Sequence, residues 1–378
     1  ERCVRREHLE QVIVAAFLSW LGVVLTGALL FLSLLPILKT GHWVARVCDF
    51  PRVQILAMCL LPAVCLALAI WLDGSTPLRF AMLGLLAGVA VWQVSHVVRY
   101  TRFWPCEVAE SPRGQSLTVM IVNLDYQNEQ KERVCESLLE HDADLLLLIE
   151  IDRPWEQSLV DVLDRYLHSH GVVRDEGLGI VLASKHPMRD MEVRHLVSDE
   201  RASVHAEIEV GGDSVRVSAM HPTPPGLKSD QGDRHNSRKR DAELVIVANE
   251  IQASEPQHRV VMGDLNDVAW SHTTRLFRRL SGLRDPRIGR SLLNTYHAQR
   301  PLFRYPLDHI FVSDEIAVSR LKRVRVPGSD HFGVLATIHI PKGESPDDTN
   351  GERASSGDDE EAREIVSEGK QEAAEQGG

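Results

Sequence analysis

A carboxylate and an amide follow a short apolar run at Gly263-Asp264-Leu265-Asn266. The run and the glycine predict a buried strand that ends in a turn. The i, i+2 spacing places Asp264 and Asn266 on one face if the chain stays extended. Gly, Asp and Asn are also ordinary turn residues, so this motif alone does not separate a catalytic corner from a solvated turn.

Further polar groups recur inside or beside other apolar runs: Asn123, Glu150, His221 before Pro222, Asp308 before His309, and Ser329-Asp330-His331. Singly, each fits an ordinary role, such as a turn histidine, a capping acid or an ion-pair partner. A carboxylate inside an apolar strand, as at Glu150, needs a cation, hydrogen bonds or a metal. Together these groups offer oxygen ligands for a hard cation, donors for phosphoryl oxygens and a base for water. The set therefore indicates metal-assisted phosphoester hydrolysis.

In order and spacing, the motifs resemble those of the endonuclease/exonuclease/phosphatase superfamily over residues 116–340. Gly-Asp-x-Asn followed by a late Ser-Asp-His is specific as a pair. The resemblance implies a DNase I-like α+β four-layer sandwich, in which two packed β-sheets are flanked by helices. It also implies Mg²⁺ or Mn²⁺ as the cofactor. With the apolar N-terminal runs, the chain is similar to the bacterial membrane-anchored, YafD-like branch.

The same resemblance implies the metal ligands. Glu150 would be the principal ligand, Asn123 would lie beside it, and Asp330 would complete the metal environment. Asp125 receives no definite role from the resemblance.

The catalytic roles are likewise implied by the resemblance. Asp264 would orient or deprotonate the attacking water, and Asn266 would hold a phosphoryl oxygen. His331 would contact the scissile phosphate and be oriented by Asp308. His221 would be a second donor to the phosphate.

The first hundred residues contain three long apolar runs, at residues 12–38, 55–72 and 78–98, of which only the third carries a charge, Arg79. Since a bilayer core needs about 20 apolar residues in a helix, they predict three transmembrane helices in an anchor over residues 1–103. Soluble core helices are the alternative. A cleaved signal peptide does not fit, because the first run is long and two more follow. Lysine and arginine placement does not decide the orientation.

Residues 104–115 form a polar linker with Pro and Gly, and the catalytic domain then covers residues 116–340. Residues 341–378 carry 12 acidic and 4 basic residues, which accounts for −8 of the net charge of −11. This composition predicts a disordered acidic tail. The six cysteines form no CxxC pair, which disfavours a zinc site or a disulfide framework.

The substrate remains open among nucleic acid, phospholipid and a small phosphorylated molecule. A basic cluster at Arg234, Arg238, Lys239 and Arg240 favours a solvated helix face over a nucleic-acid patch. Arg300 and Arg304, just before Asp308, are better placed to meet an anionic substrate.

We expect an integral protein of the bacterial inner membrane with its catalytic domain on the outer face. Its expected partners are the lipid bilayer and the phosphoester substrate, with no obligate protein partner. The competing hypothesis is a catalytically inactive, membrane-tethered binding protein that retains the fold.

Overall fold

The computed structural model describes residues 2–38, 40–111, 114–224, 236–255, 257–342 and 354–376. The chain forms two compact units. The first comprises Glu1–Thr40 and Val44–Arg99, and the second comprises Gly41–Trp43 and Tyr100–Gly378.

The N-terminal part of the chain is helical. Its helices are α1 (Arg2–Leu34), α2 (Trp43–Val47), α3 (Arg52–Met58), α4 (Leu60–Asp73) and α5 (Pro77–Val97). Gly74, at φ +81°, ends α4, and the Thr76 side chain caps α5 by accepting a hydrogen bond from the Arg79 N–H. Three helical stretches, Arg5–Ile37, Arg52–Asp73 and Pro77–Tyr100, are long and apolar enough to cross a membrane. They overlap the three predicted spans.

The second unit contains two β-sheets and the remaining helices. Its strands are β1 (Gln115–Asn123), β2 (Leu145–Ile149), β3 (His168–Val172), β4 (Ile180–Ser184), β5 (Met188–Arg194), β6 (Ser203–Val210), β7 (Asp213–Met220), β8 (Arg259–Asp264), β9 (Asp308–Val312), β10 (Ala317–Arg325) and β11 (Phe332–Ile340). Its helices are α6 (Lys131–His141), α7 (Arg153–Ser158), α8 (Val160–Leu163), α9 (Arg238–Ala253), α10 (His272–Ser281) and α11 (Ser356–Gln376).

Each sheet contains one parallel strand pair among antiparallel neighbours. The six-stranded sheet has the order β10-β11-β1-β2-β4-β3, in which β1 and β2 are parallel. The five-stranded sheet has the order β5-β6-β7-β8-β9, in which β7 and β8 are parallel. Parallel neighbours end at the same edge of a sheet, so residues that follow them in sequence are brought together.

The two sheets pack face to face around one apolar core, to which both contribute alternate residues such as Ile121, Leu147, Val217 and Val260. Helices α6 to α8 cover the outer face of the six-stranded sheet, with Trp155 fully buried there. Helices α9 and α10 cover the five-stranded sheet. The predicted four-layer α+β sandwich is confirmed.

The close β7–β8 pairing depends on a glycine at the end of β8. Gly263 has φ +149°, and a Cβ atom there would lie 1.9 Å from the Met220 carbonyl oxygen. A side chain at this position would therefore push apart the two strands that precede His221 and Asp264.

Most of the predicted linker belongs to the folded second unit. The Tyr100 hydroxyl donates a hydrogen bond of 2.7 Å to the Ala269 carbonyl, Glu107 pairs with Arg278, and Val108 is buried in the core between the sheets. The domain therefore begins near residue 100, and the prediction that it starts at 116 is wrong. Residues 112 and 113 of the predicted linker lie outside the described residues.

The prediction of a disordered tail is wrong for α11, which packs on α9 and α10. Ala362, Ile365 and Val366 form an apolar stripe at helical spacing and join the core beneath those helices. Asp358 forms an ion pair with Arg279 at 2.7 Å, so acidic residues of the tail have basic partners on the domain. The rest of the predicted tail, residues 343–353 and 377–378, lies outside the described residues.

Candidate active site

The six-stranded sheet brings Asn123, Glu150 and His331 to one edge. Asn123 is the last residue of β1 and is paired with Ile149, the last residue of β2. Glu150 directly follows, and His331 directly precedes β11, the antiparallel neighbour of β1. The sheet topology alone therefore brings together three residues that are far apart in sequence.

The five-stranded sheet does the same for His221, Asp264 and Asp308. Met220 of β7 is paired with Gly263 of β8, so His221 and Asp264 leave neighbouring strands side by side. Asp264 is in turn paired with Asp308 at the start of β9. The two sheets present these ends to each other, since Asn123 of β1 donates a hydrogen bond to Asp264 of β8.

Two of the predicted residues have left-handed backbone conformations. Glu150 has φ +63° and Asn266 has φ +51°, and Asp125, beside them, has φ +58°. Such conformations cost non-glycine residues of the order of 1–3 kcal/mol each and are enriched at functional sites. Here they turn the chain sharply where the strands end.

Asp308, His331 and Asp264 form the buried centre of the site. His331 Nδ1 lies 2.9 Å from Asp308 Oδ2, and His331 Nε2 lies 3.6 Å from Asp264 Oδ2. Burial disfavours the imidazolium, but the charges of Asp308, Asp264 and Asp330 outweigh burial and raise the pKa of His331 to about 10. His331 therefore carries a proton, which it donates to Asp308.

Asp264 is held by two amides. Its Oδ2 accepts a hydrogen bond of 3.2 Å from Asn123 Nδ2, and its Oδ1 accepts one of 2.9 Å from the Asn266 backbone N–H. Burial raises the pKa of Asp264 to about 7, although His331 opposes the shift. A carboxylate with a pKa near neutrality can both accept and release a proton, as a general base must.

Glu150 lies beside this centre without a cationic partner among the described residues. Its Oε1 accepts a hydrogen bond of 3.1 Å from Asn123 Nδ2, and its Oε2 accepts one of 3.4 Å from the Tyr126 N–H. Burial raises the pKa of Glu150. A desolvated carboxylate that still has solvent access fits a divalent cation, which prefers oxygen ligands.

The other two predicted metal ligands differ in how they meet Glu150. Asn123 presents its amide nitrogen to Glu150, while its oxygen accepts a hydrogen bond of 3.0 Å from the Asp125 N–H. In this orientation the Asn123 amide nitrogen links Glu150 to Asp264, and the amide oxygen does not face Glu150. The Asp330 charge contributes to the raised pKa values of Glu150 and Asp125, which places it within electrostatic reach.

A second set of atoms is also close enough to share an ion. One ligand atom each of Asp264, Asp308 and His331 lie within 4.8 Å of one another. The ring nitrogens of His331, however, already face Asp308 at 2.9 Å and Asp264 at 3.6 Å, whereas Glu150 has no cationic partner among the described residues. We therefore regard Glu150 as the better position for a cation.

His221 is less directly connected to the centre. Arg201 Nη1 lies 2.8 Å from His221 Nδ1 and 2.9 Å from Nε2. A guanidinium only donates, so the ring nitrogen that it contacts accepts. The neighbouring Pro222 carbonyl accepts a hydrogen bond of 2.9 Å from Asn266 Nδ2. The Asn266 amide is thereby oriented by the chain segment that carries His221.

Three residues of the site escaped the sequence analysis. Arg201 contacts His221, the Tyr296 ring lies 4.9 Å from the His331 ring, and Thr295 Oγ1 accepts a hydrogen bond of 3.2 Å from the Asp308 N–H. None stands at the end of an apolar run, so no local pattern marks them. The pairing of Tyr296 with His331 becomes visible only once the chain is folded.

The predicted basic face of α9 is largely buried. Arg240 is fully buried, pairs with Asp241, and donates a hydrogen bond of 2.7 Å to the Asn266 carbonyl. Lys239 is also buried and lies 3.5 Å from Glu200. For these two residues, neither a solvated face nor a nucleic-acid patch is correct. Arg234 lies outside the described residues.

Comparison with known proteins gives a family match. The model of the Endonuclease/Exonuclease/phosphatase family matches residues 120–331, more than half of the chain. No curated protein sequence matches the chain.

Three solved structures each match 60% of this chain. The endonuclease/exonuclease/phosphatase from Bacteroides vulgatus is 19% identical, with a TM-score of 0.48 over 60% of this chain and 99% of its own. TDP2 from D. rerio, complexed with single-strand DNA product, is 16% identical, with a TM-score of 0.47 over 60% of this chain and 99% of its own. The endonuclease/exonuclease/phosphatase from Beutenbergia cavernae is 18% identical, with a TM-score of 0.46 over 60% of this chain and 72% of its own.

Proposed function

The chain belongs to the endonuclease/exonuclease/phosphatase family, and from this premise we propose that it is a membrane-anchored, divalent-metal-dependent phosphoesterase. It hydrolyses a phosphodiester or a phosphomonoester by attack of water. The observation that carries the proposal is the buried Asp264–His331–Asp308 group with Glu150 beside it, both linked through Asn123.

Asp264 is the general base in this proposal. With a pKa of about 7 it accepts a proton from water near neutral pH, and the Asn266 N–H and the Asn123 amide fix its two oxygens. His331, held by Asp308, donates to the scissile phosphate through Nε2 and stabilises the charge that develops there.

Two further residues bind the phosphoryl group. The Asn266 amide and His221 flank the Asp264 side of the site and act as donors to the phosphoryl oxygens. Glu150, with Asp330 and the oxygen of a reoriented Asn123, would hold Mg²⁺ or Mn²⁺. The ion would supply Lewis-acid stabilisation of the phosphoryl oxygens.

We further propose that the three apolar helices anchor the chain in a bacterial inner membrane, with the catalytic domain on the outer face, as in the YafD-like branch. Their length and composition support a bilayer as the partner. Within the class of phosphoesters, a nucleic acid, a phospholipid and a small phosphorylated molecule remain the candidate substrates. The competing function is an inactive, tethered binding protein. The chain contains every predicted site residue, so no missing residue supports that function.

A substrate panel tests this function. The full chain in detergent micelles is incubated with Mg²⁺ or Mn²⁺ and DNA, RNA, phospholipid head groups or inositol phosphates. We expect hydrolysis of at least one class, lost on chelation of the metal. Asp264→Asn should lower the rate by roughly 10²–10⁴-fold, because it removes the base while keeping the size of the side chain and an oxygen that can accept from the Asn266 N–H.

Asp314→Asn is the matched control, since Asp314 is an exposed acid that pairs with Arg284 away from the site. It should retain full activity. Hydrolysis of none of the substrates by the wild-type chain would favour the binding protein. Cleavage of the tail by protease added to intact cells would support the outer face, and protection of the tail would contradict it.

A further inference from the structure

A cationic surface that has no acidic partner among the described residues borders the active site. We call it the arginine rim, and it consists of Arg300, Arg304, Arg323 and Arg325. None of the four forms an ion pair with a described residue, although the unit contains many other paired arginines. Because like charges repel one another, the rim favours an anionic partner.

Strand register places half of the rim at the end of the core between the sheets. In the β10–β11 pair, Arg323 is opposite Val334 and Arg325 is opposite Phe332. Val334 belongs to the core between the sheets, so Phe332, two residues earlier, extends the same face to the edge where the site lies. Arg323 and Arg325 therefore continue the inner face of the sandwich with positive charge.

Phe332 is the centre around which three of these arginines gather. The guanidinium carbons of Arg304, Arg323 and Arg325 lie 5.0, 4.8 and 5.5 Å from the centroid of its ring. Such cation–π contacts hold the arginines in place without neutralising them. Burial and the charge of Arg304 both lower the pKa of Arg323, which reflects the uncompensated charge.

The loop that carries Arg300 and Arg304 is bonded to the catalytic segment. The Phe332 N–H donates a hydrogen bond of 2.9 Å to the Thr295 carbonyl, and the Ala298 N–H donates one of 2.5 Å to the Asp330 carbonyl. The Asp330 carbonyl and the Phe332 N–H belong to the residues on either side of His331. The rim is therefore fixed at the border of the proposed phosphate site.

Between Arg300 and Arg304 the same loop exposes two large apolar side chains, which we call the apolar tip. Leu302 is 77% exposed and Phe303 is 56% exposed, in a 3₁₀ turn that begins at Pro301. A single exposed apolar residue is ordinary, but adjacent ones within a ring of arginines are typical of a surface that enters a lipid interface.

We propose that the arginine rim and the apolar tip form a contact surface for an anionic phospholipid bilayer. The arginines bind lipid phosphates, and Leu302 and Phe303 enter the outer part of the acyl layer. This contact is distinct from the helical anchor and goes beyond the hydrolysis proposed above.

Three observations favour a bilayer over a nucleic acid. Leu302 is the most exposed residue of the tip and has no ring to stack on a base. Phe332 already faces three guanidinium groups, and Tyr296 packs against the rings of His297 and His331. The three apolar helices of the same chain would also hold the rim near a membrane at high effective concentration.

Hydrogen exchange of the full chain in lipid nanodiscs tests the contact. Discs of phosphatidylcholine alone are compared with discs that also contain phosphatidylglycerol. We expect peptides covering residues 297–305 and 320–326 to exchange more slowly in the anionic discs. Each arginine near an anionic surface contributes about fivefold, so Arg323→Gln with Arg325→Gln should reduce this protection by about 30-fold.

The matched pair of double variants separates the tip from general surface effects. Leu302→Ser with Phe303→Ser should reduce the protection by at least about tenfold. Leu167→Ser with Arg165→Gln removes an exposed leucine and a nearby exposed arginine beside β3, at the opposite edge of the sheet, and should change nothing.

Equal exchange in both kinds of disc would overturn the proposal. Protection of the same peptides by an added oligonucleotide, but not by anionic lipid, would assign the surface to nucleic acid instead. The exchange measurement does not require turnover, so an inactive enzyme and a missing lipid contact give different results.

Discussion

Two buried histidines of the same unit have pKa values that are shifted in opposite directions. His331, at the edge where the two sheets meet, is surrounded by three acids and has a pKa of about 10. His205, in the middle of β6, has a pKa of about 4, because burial and the nearby Arg194 and Arg216 disfavour its charge. Burial lowers both values, so the neighbours decide the outcome.

Two carboxylates, Asp285 and Glu150, show the same contrast. Asp285 is fully buried, but Arg287 pairs with it at 2.7 Å, outweighs burial and lowers the pKa of Asp285. Glu150 has no such partner among the described residues, and its pKa is raised. Asp285 is satisfied by an arginine of its own segment, whereas Glu150 at a strand end is left available for a cation from outside the chain. That difference separates structural polar residues from catalytic ones.

The largest expected effect comes from removing the charge that holds His331. Asp308→Asn keeps the size of the side chain and an oxygen that can accept from Nδ1, but it removes the negative charge. We expect kcat to fall by roughly 10²–10⁴-fold, because His331 loses part of its positive charge near neutral pH. Steady-state kinetics on the substrate identified by the panel measure the change.

Glu156→Gln provides a comparison at an exposed acid of α7, and it should behave as wild type. A wild-type kcat for Asp308→Asn would show that the acids around His331 are structural, and the contrast with His205 would lose its functional meaning.

A smaller effect is expected at the unpaired carboxylate. Glu150→Gln removes a charge that burial disfavours, so without metal the variant should unfold at a temperature a few degrees higher than the wild type. Added Mg²⁺ should stabilise the wild type more than the variant and narrow or reverse this difference. Thermal unfolding with chelator and with Mg²⁺ checks both statements.

The opposite pattern, in which Glu150→Gln is less stable than the wild type in chelator, would mean that Glu150 is already satisfied. Glu150 would then resemble Asp285, and the metal would have to lie elsewhere.

The sequence alone marks Asn123, Glu150 and Asp264 for one physical reason. Buried strands are continuous apolar runs, and polar residues at their ends stand out against them, as at Asn123, Glu150 and Asp264. The edge strands β3 and β10 have no such apolar run. Strand β10 carries Arg320 and Lys322 on a largely exposed edge, so it shows neither an apolar run nor a clear alternation.

The remaining failures come from contacts between distant segments. Arg201 becomes a partner of His221 only through the pairing of β6 with β7. Helix α11 is polar overall, and an isolated helix of this kind is marginal in water. Packing of its apolar stripe on α9 and α10 and its ion pair to Arg279 stabilise the helix, and the composition of the tail does not reveal these contacts. The sequence of the tail by itself does not reveal that α9 and α10 are its partners.

The smallest expected effect at neutral pH concerns the structural histidine. The folded-state pKa of His205, about 4, lies below the ordinary histidine value of 6.5, so unfolding takes up a proton between these pH values. The contribution of His205 is therefore fully retained above pH 6.5 and is lost as the pH falls towards 4, by up to about 3 kcal/mol. In His205→Gln, which cannot titrate, this part of the pH dependence should disappear.

Urea unfolding of the full chain in detergent micelles, at several pH values from about 4 to about 7, measures the slope. Ser218→Ala is the matched control, because it removes the 3.0 Å hydrogen bond to His205 Nδ1 but leaves the imidazole in place. It should lower the free energy of unfolding by about 1 kcal/mol and keep the slope of the wild type. If His205→Gln also keeps that slope, His205 is not the group that titrates, and the contrast between His205 and His331 is wrong.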